Sequence, residues 1–182
     1  MDFVIFAKKS VRFPGKHSAM LNGRRIIDMV ASKLKDQGNV ILYTKDPALR
    51  CQDCQVVLDT TEGIITDSVL TALDRFGTFF AVAGDMPFIT QDIVSKVLRS
   101  YSGKPTFPVH SDGLIEPLFG IYTESIYDAL NAYIESGGES LIGFLSLIDI
   151  ERVPISEEEE RFFISINYPE DIKKYADLTG NA

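Results

Sequence analysis

Residues 2–44 read DFVIFAKKSVRFPGKHSAMLNGRRIIDMVASKLKDQGNVILYT: an apolar run, a basic loop, an amphipathic segment and a second apolar run. Within RRIIDMVASKLKDQG (24–38), Ile26, Ile27, Val30 and Leu34 recur at the spacing of one helix face, and Gly38 stands where a C-terminal cap is wanted. DFVIFA (2–7) and NVILYT (39–44) are short and rich in branched and aromatic side chains, as strands are. The alternation continues. QVVLD (55–59) precedes a helical stretch that Thr66 opens and Gly77 closes, and TFFAVAGD (78–85) precedes one that Thr90 opens. This order predicts an α/β fold in which a parallel sheet carries helices on its faces.

After Tyr101 the pattern is less regular. PTFPVH (105–110), IEPLFGIY (115–122) and IERVPI (150–155) read as strands, separated by helical ESIYDALNAYIES (124–136) and ESLIGFLSLI (139–148). These complete a mixed sheet rather than a second domain, because no repeat or low-complexity linker divides residues 1–182. SEEEER (156–161) reads as a solvated turn. NYPEDIKKYADLTG (167–180) announces a last helix, with Pro169 at its first position, two acids in the first turn and Gly180 at its end.

A chain of 182 residues that is 45% hydrophobic supports one core. A net charge of -8 and a pI near 4.8 argue against nucleic-acid binding, which needs an extended basic surface. Yet Lys8, Lys9, Arg12, Lys16, Arg24 and Arg25 gather in one stretch without a carboxylate, an arrangement suited to a small anion. MDFVIFA is too short for the apolar core of a signal peptide and lacks a basic lead, so secretion and membrane insertion are not expected and the protein reads as cytoplasmic. Cys51 and Cys54 make an incomplete zinc set and read as two free thiols or a local disulfide. Nucleophile-elbow, P-loop and GxGxxG patterns are absent.

In open parallel sheets ligands sit at the carboxyl ends of strands. The loops leaving DFVIFA, QVVLD and TFFAVAGD therefore matter most. They supply the basic SVRFPGK (10–16), Asp59 before TTEG, and Asp85 in AGDMP. A triphosphate needs local positive charge, backbone N–H groups exposed by glycine and a carboxylate for a divalent cation. Asp85 alone reads as a turn residue; beside the basic loop it reads as the metal carboxylate. His110 and the aromatics Phe79, Phe80 and Phe119 read as structural.

SVRFPGK, MLNGRRIIDMV, DTTEG, AGDMPFIT, DGLIEPLFGIY and FFISINYPEDIKKY, in that order, resemble the molybdenum cofactor guanylyltransferase family nearly end to end. PLFGIY and INYPEDI are similar to that family's PLFALY-type strand and NTPEDL segment. The resemblance implies a Rossmann-like nucleotidyltransferase fold, three-layer αβα with a mostly parallel mixed sheet. It also implies a nucleotide-binding half (1–103) and an acceptor-binding half (104–182), GTP and molybdopterin as substrates, Mg2+ as cofactor, and cofactor-delivery proteins as possible partners. By the same resemblance Arg12 and Lys16 lie near the phosphates, Asp85 binds magnesium, Asp59 opens a second nucleotide loop, Asn167 lies on the acceptor side, and Ala7, Lys8, Lys9, Ser10 and Gly15 form the first loop.

Lys8 and Lys9 stand where the family's LAGG loop has two glycines, and SVRFPGK is similar to the SxRLPGK of sugar-acid cytidylyltransferases. Two alternatives follow: a cytidylyltransferase acting on a sugar acid, or a nucleotide- or pterin-binding protein that has lost catalysis. A lysine brings a movable charge and resists positive φ, whereas glycine lets backbone approach the ligand. Replacing Lys8 and Lys9 together by glycine should therefore tighten GTP binding and sharpen its selectivity over ATP and CTP; competition binding checks this, and unchanged selectivity would refute it.

Overall fold

The computed structural model describes residues 1–181. Seven strands form one sheet: β1 (Asp2–Ala7), β4 (Val40–Thr44), β5 (Gln55–Leu58), β6 (Phe79–Ala83), β7 (Thr106–Val109), β8 (Phe119–Tyr122) and β9 (Glu151–Pro154), in the order β5-β4-β1-β6-β8-β7-β9. β2 (Met20–Leu21) and β3 (Arg24–Arg25) pair as a small separate hairpin. The β1–β4, β1–β6, β4–β5 and β7–β9 pairs are parallel, and only β8 runs against its neighbours. β1, β4 and β6 are buried nearly throughout, which is why their sequences are continuous apolar runs rather than alternations.

Alternate residues of β1 feed two cores. Phe3, Ile5 and Ala7 pack with Ile27, Val30 and Ala31 of α1 (Ile26–Ser32) and Ile93, Val94 and Val97 of α3 (Gln91–Ser100). Val4 and Phe6 pack with Val69, Ala72 and Leu73 of α2 (Ile65–Phe76), Leu130 of α4 (Tyr127–Glu135) and Phe144 of α5 (Leu141–Leu145). The result is the expected three-layer αβα arrangement around a mostly parallel mixed sheet. Among the described residues no helix is long and apolar enough to cross a membrane.

Several element ends differ from their sequence reading. The first helix is α-helical only over Ile26–Ser32, because Arg24 and Arg25 are drawn into the hairpin; Leu34 is buried from a following turn, and Gly38 lies tight under Met1 O rather than capping the helix. Thr66 does not open α2. Its hydroxyl donates to Glu139 O at 2.6 Å, and the Asp67 carboxylate instead accepts from Ile64 N at 2.7 Å. Thr90 does open α3, accepting from Ile93 N at 3.3 Å. α6 (Pro169–Lys174) stops well before Gly180, and a 3-10 turn, Ala176–Asn181, follows it. Within SEEEER, Glu159 is no mere solvated charge, since it pairs with Lys96 of α3 at 2.7 Å. Cys51 and Cys54 are joined by a disulfide in the β4–β5 loop, which Arg25 and Asp28 clamp to α1 through Arg50 O and Gln52 N.

β8 carries Gly120 where the resembling strand has alanine. A Cβ there would stand 2.6 Å from Thr106 O and 2.4 Å from the Phe107 ring, closer than any real contact. Gly120→Ala should therefore force β7 and β8 apart and destabilise the protein by about 1–3 kcal/mol. Thermal denaturation measures this, and a Gly120→Ala protein as stable as wild type would contradict it.

Candidate active site

Six strands end on the same edge of the sheet, and β8 enters from it. After β1 the chain moves first to β4 on one side and later to β6 on the other, so the topological switch lies between β1 and β6. The basic loop leaves β1 there. Ser10 Oγ accepts from Phe13 N at 3.1 Å, and Gly15 adopts φ 75°, a left-handed turn that glycine tolerates best. That turn directs Lys16 and His17 inward, where both are buried. The Lys16 ammonium donates to Asp85 Oδ2 and, at 3.4 Å, to Asn167 Oδ1.

Asp85 stands one residue beyond β6, after Gly84. Its carbonyl accepts from Ile166 N at 2.9 Å, which ties the C-terminal segment to the end of β6. Asp171 accepts from Asn167 N and Tyr168 N at 2.9 Å each, so the start of α6 is capped and Asn167 is held toward Lys16. Arg12 reaches Tyr168 OH at 3.4 Å. Lys16, Asp85 and Asn167 thus converge from three distant parts of the chain, with the exposed Arg12 beside them on Tyr168. Ala7 is buried with its carbonyl accepting from the Thr44 hydroxyl at 2.8 Å, while Lys8 and Lys9 are exposed at the rim.

The second loop is built around Asp59. Its carboxylate accepts from Thr61 N at 2.9 Å and from the Thr61 and Ser68 hydroxyls at 2.6 Å each, and Lys45 Nζ stands 3.8 Å away. Lys45 also donates to Thr61 O and Gly63 O at 2.7 Å each. Burial works against the Asp59 charge, but the Ser68 and Thr61 hydrogen bonds and the Lys45 ammonium outweigh it and hold the carboxyl below its usual range. The neighbouring Tyr43 phenol is pushed up to about 12, by burial first and by the Asp59 charge second. Asp59 therefore spans its own loop rather than projecting from it.

Residues 4–150 match the MobA-like NTP transferase domain. The chain belongs to that family. This nucleotidyltransferase is 29% identical to a probable molybdenum cofactor guanylyltransferase of Thermococcus sibiricus, with 94% of each chain covered. Its fold superposes on molybdopterin-guanine dinucleotide biosynthesis protein A of Archaeoglobus fulgidus with a TM-score of 0.81, at 22% identity over 100% of both chains. It also superposes on a CMP:2-keto-3-deoxy-manno-octonic acid synthetase complexed with CTP, with a TM-score of 0.71 at 15% identity over 97% of both chains.

Sequence reading missed three features of this candidate site. Lys45 stands at the carboxyl end of β4, and inspecting every strand end, rather than three, would have flagged it. His17 neighbours Lys16, but its partners are the backbone carbonyls of Gly84 at 3.0 Å and Lys8 at 3.1 Å, and no local pattern reports such partners. His110 pairs with Glu116 at 2.8 Å across the β7–β8 hairpin. Burial pushes the Glu116 carboxyl up, His110 opposes this, and the Asp85 charge adds to it.

Because the folded state favours ionised Asp59, its contribution is present above the ordinary carboxylate pKa and disappears as pH falls through the lowered folded value. Asp59→Asn should destabilise the protein by about 1.5–3 kcal/mol at neutral pH. Urea unfolding of both proteins should show the gap narrowing as pH falls below the ordinary carboxylate range, and a gap that is constant with pH would overturn this role for the charge.

Proposed function

We propose that this nucleotidyltransferase moves GMP from GTP to molybdopterin, releasing pyrophosphate, with magnesium as its metal. The convergence of Arg12, Lys16, Asp85 and Asn167 at the β1–β6 switch carries the chemistry, and the names of the relatives supply the acceptor and the base. The donor set fits a hard cation: Asp85 Oδ2 and Asn167 Oδ1 already face one positive charge, the Lys16 ammonium. Magnesium takes one or two protein oxygens and completes its shell with phosphates and water. Asp85 and Asn167 would hold it, and bound there it would neutralise charge between phosphate oxygens.

The remaining work belongs to the chain. Arg12 and Lys16 bind the triphosphate and offset the charge that grows on the leaving pyrophosphate. Lys16 must then exchange Asp85 for phosphate oxygens, a short swing for a flexible ammonium. The acceptor's terminal phosphate is anionic at neutral pH, so attack on the α-phosphorus needs no general base. This accords with His17, whose ring nitrogens both face backbone carbonyls. The main task is holding two mutually repelling anions in line.

A second reading, a cytidylyltransferase acting on a sugar acid, draws on the SVRFPGK loop and on the likeness to the CTP-bound synthetase. Pyrophosphate release measured with each of four nucleoside triphosphates, against molybdopterin and against sugar acids, separates the two. Turnover restricted to CTP would replace the first reading with the second, and binding without any turnover would favour a protein that has lost catalysis.

Asp85→Asn keeps one oxygen and loses the charge. It should remove most metal-dependent pyrophosphate release, while metal-free GTP affinity holds or rises because the carboxylate no longer repels phosphate and Lys16 is freed. Lys16→Ala should weaken triphosphate binding by about 1.5–3 kcal/mol. Parallel turnover and calorimetric binding check both, and undiminished metal-dependent turnover in Asp85→Asn would sink the metal assignment.

A further inference from the structure

His17 has no part in the transfer chemistry above, yet it is only 7% exposed and lies between the two loops that carry the reacting charges. Its Nδ1 lies 3.0 Å from the carbonyl oxygen of Gly84, the residue before Asp85, and its Nε2 lies 3.1 Å from the carbonyl oxygen of Lys8, at the start of the basic loop. An imidazolium donates to both oxygens; a neutral ring donates to one and turns a lone pair toward the other. These carbonyls lie just past the end of the β1–β6 ladder, whose last registered pair is Phe6 and Ala83. One more backbone bond, Gly84 N to Phe6 O at 2.9 Å, follows. Beyond it the two segments are bridged by the imidazole.

We infer that His17 is a positioning residue for nucleotidyl transfer, adding a side-chain rung to the β1–β6 ladder that sets the gap between Lys16 and Asp85. The inference rests on the reading that this edge carries nucleotidyl transfer. His17 touches neither substrate and acts through the backbone of Lys8 and Gly84. A cavity of about 170 Å³ separates the basic loop from the β4–β5 loop, with Lys8, Lys16, His17, Asp46 and Leu49 among its lining residues, so the loop is not braced from that side. The fit at the other end is close. A Cβ on residue 84 would lie 3.2 Å from the His17 ring and 3.2 Å from Phe6 O, so glycine is what lets the imidazole approach.

His17→Gln, which retains at most one of the two contacts, and His17→Gly, which leaves room for free imidazole, test this on the full chain. Amide hydrogen exchange without nucleotide should accelerate in residues 8–16 and in residues 84–86 together. In the pyrophosphate-release assay kcat should fall about tenfold to a hundredfold, as small misplacements do. The acceptor KM should stay within about twofold, since the acceptor half is not held by this ring. Added imidazole should restore part of the turnover of His17→Gly and none of that of His17→Gln. Wild-type kcat in a folded variant, or exchange that accelerates in one loop only, overturns the inference. If wild type releases no pyrophosphate with any nucleotide, the transfer reading fails, and the exchange measurement alone decides whether His17 links the loops. Should His17→Gly not fold, His17→Gln carries both measurements.

Discussion

Strands β1 and β6 run side by side at the centre of the sheet, buried on both faces and in register from Asp2 opposite Phe79 to Phe6 opposite Ala83. Because parallel strands in register end at the same height, the basic loop and Asp85 emerge as neighbours although the chain forms β4, β5 and α2 between them. The Lys16–Asp85 ion pair follows from that geometry. A largely buried pair adds little net stability, since desolvation offsets the attraction, but loss of one partner leaves the other charge stranded. Such a pair is better suited to exchange of partners than to holding a fold together. Lys16 occupies the position between Asp85 and Asn167 that the proposed chemistry gives to a divalent cation.

The strands were readable because a strand covered on both faces has little choice but to be apolar along its length, and DFVIFA, NVILYT and TFFAVAG are. Their order then made the carboxyl edge the place to search, which singled out Lys16 and Asp85. Helix ends were less readable because tertiary contacts decide them. Thr66 has the chemistry of a cap, but Glu139 O takes its hydroxyl, and Asp67 caps in its place. The apolar period of the first helix runs on to Leu34 because Leu34 is buried, although the backbone beneath it has already left the α-helix. The pairings of His17 with Gly84, Glu159 with Lys96 and Thr66 with Glu139 have no local signature, since each joins segments far apart in the chain.

The charge distribution also resolves in space. The chain is acidic overall, yet its cations concentrate around the first loop, the buried Asp59 faces Lys45, and the half-buried Asp28, Asp85 and Glu116 pair with Arg25, Lys16 and His110. Asp59 shows how a carboxylate in a loop at the carboxyl edge can act inward. By accepting from Thr61 and Ser68 and facing Lys45, which itself holds the Thr61 and Gly63 carbonyls, it stiffens the turn from within.

Gly120 and Phe107 share one volume: the ring fills the space that a methyl group on residue 120 would need. Neither position is then free to drift alone. Gain of a methyl at 120 needs the ring at 107 to shrink or tilt and the Thr106 carbonyl to draw back as well, whereas loss of the ring alone opens a void. Because the Thr106 carbonyl stands in the way whatever residue 107 is, a lineage carrying alanine at 120 should show β7 displaced from β8 even where the ring at 107 has been lost.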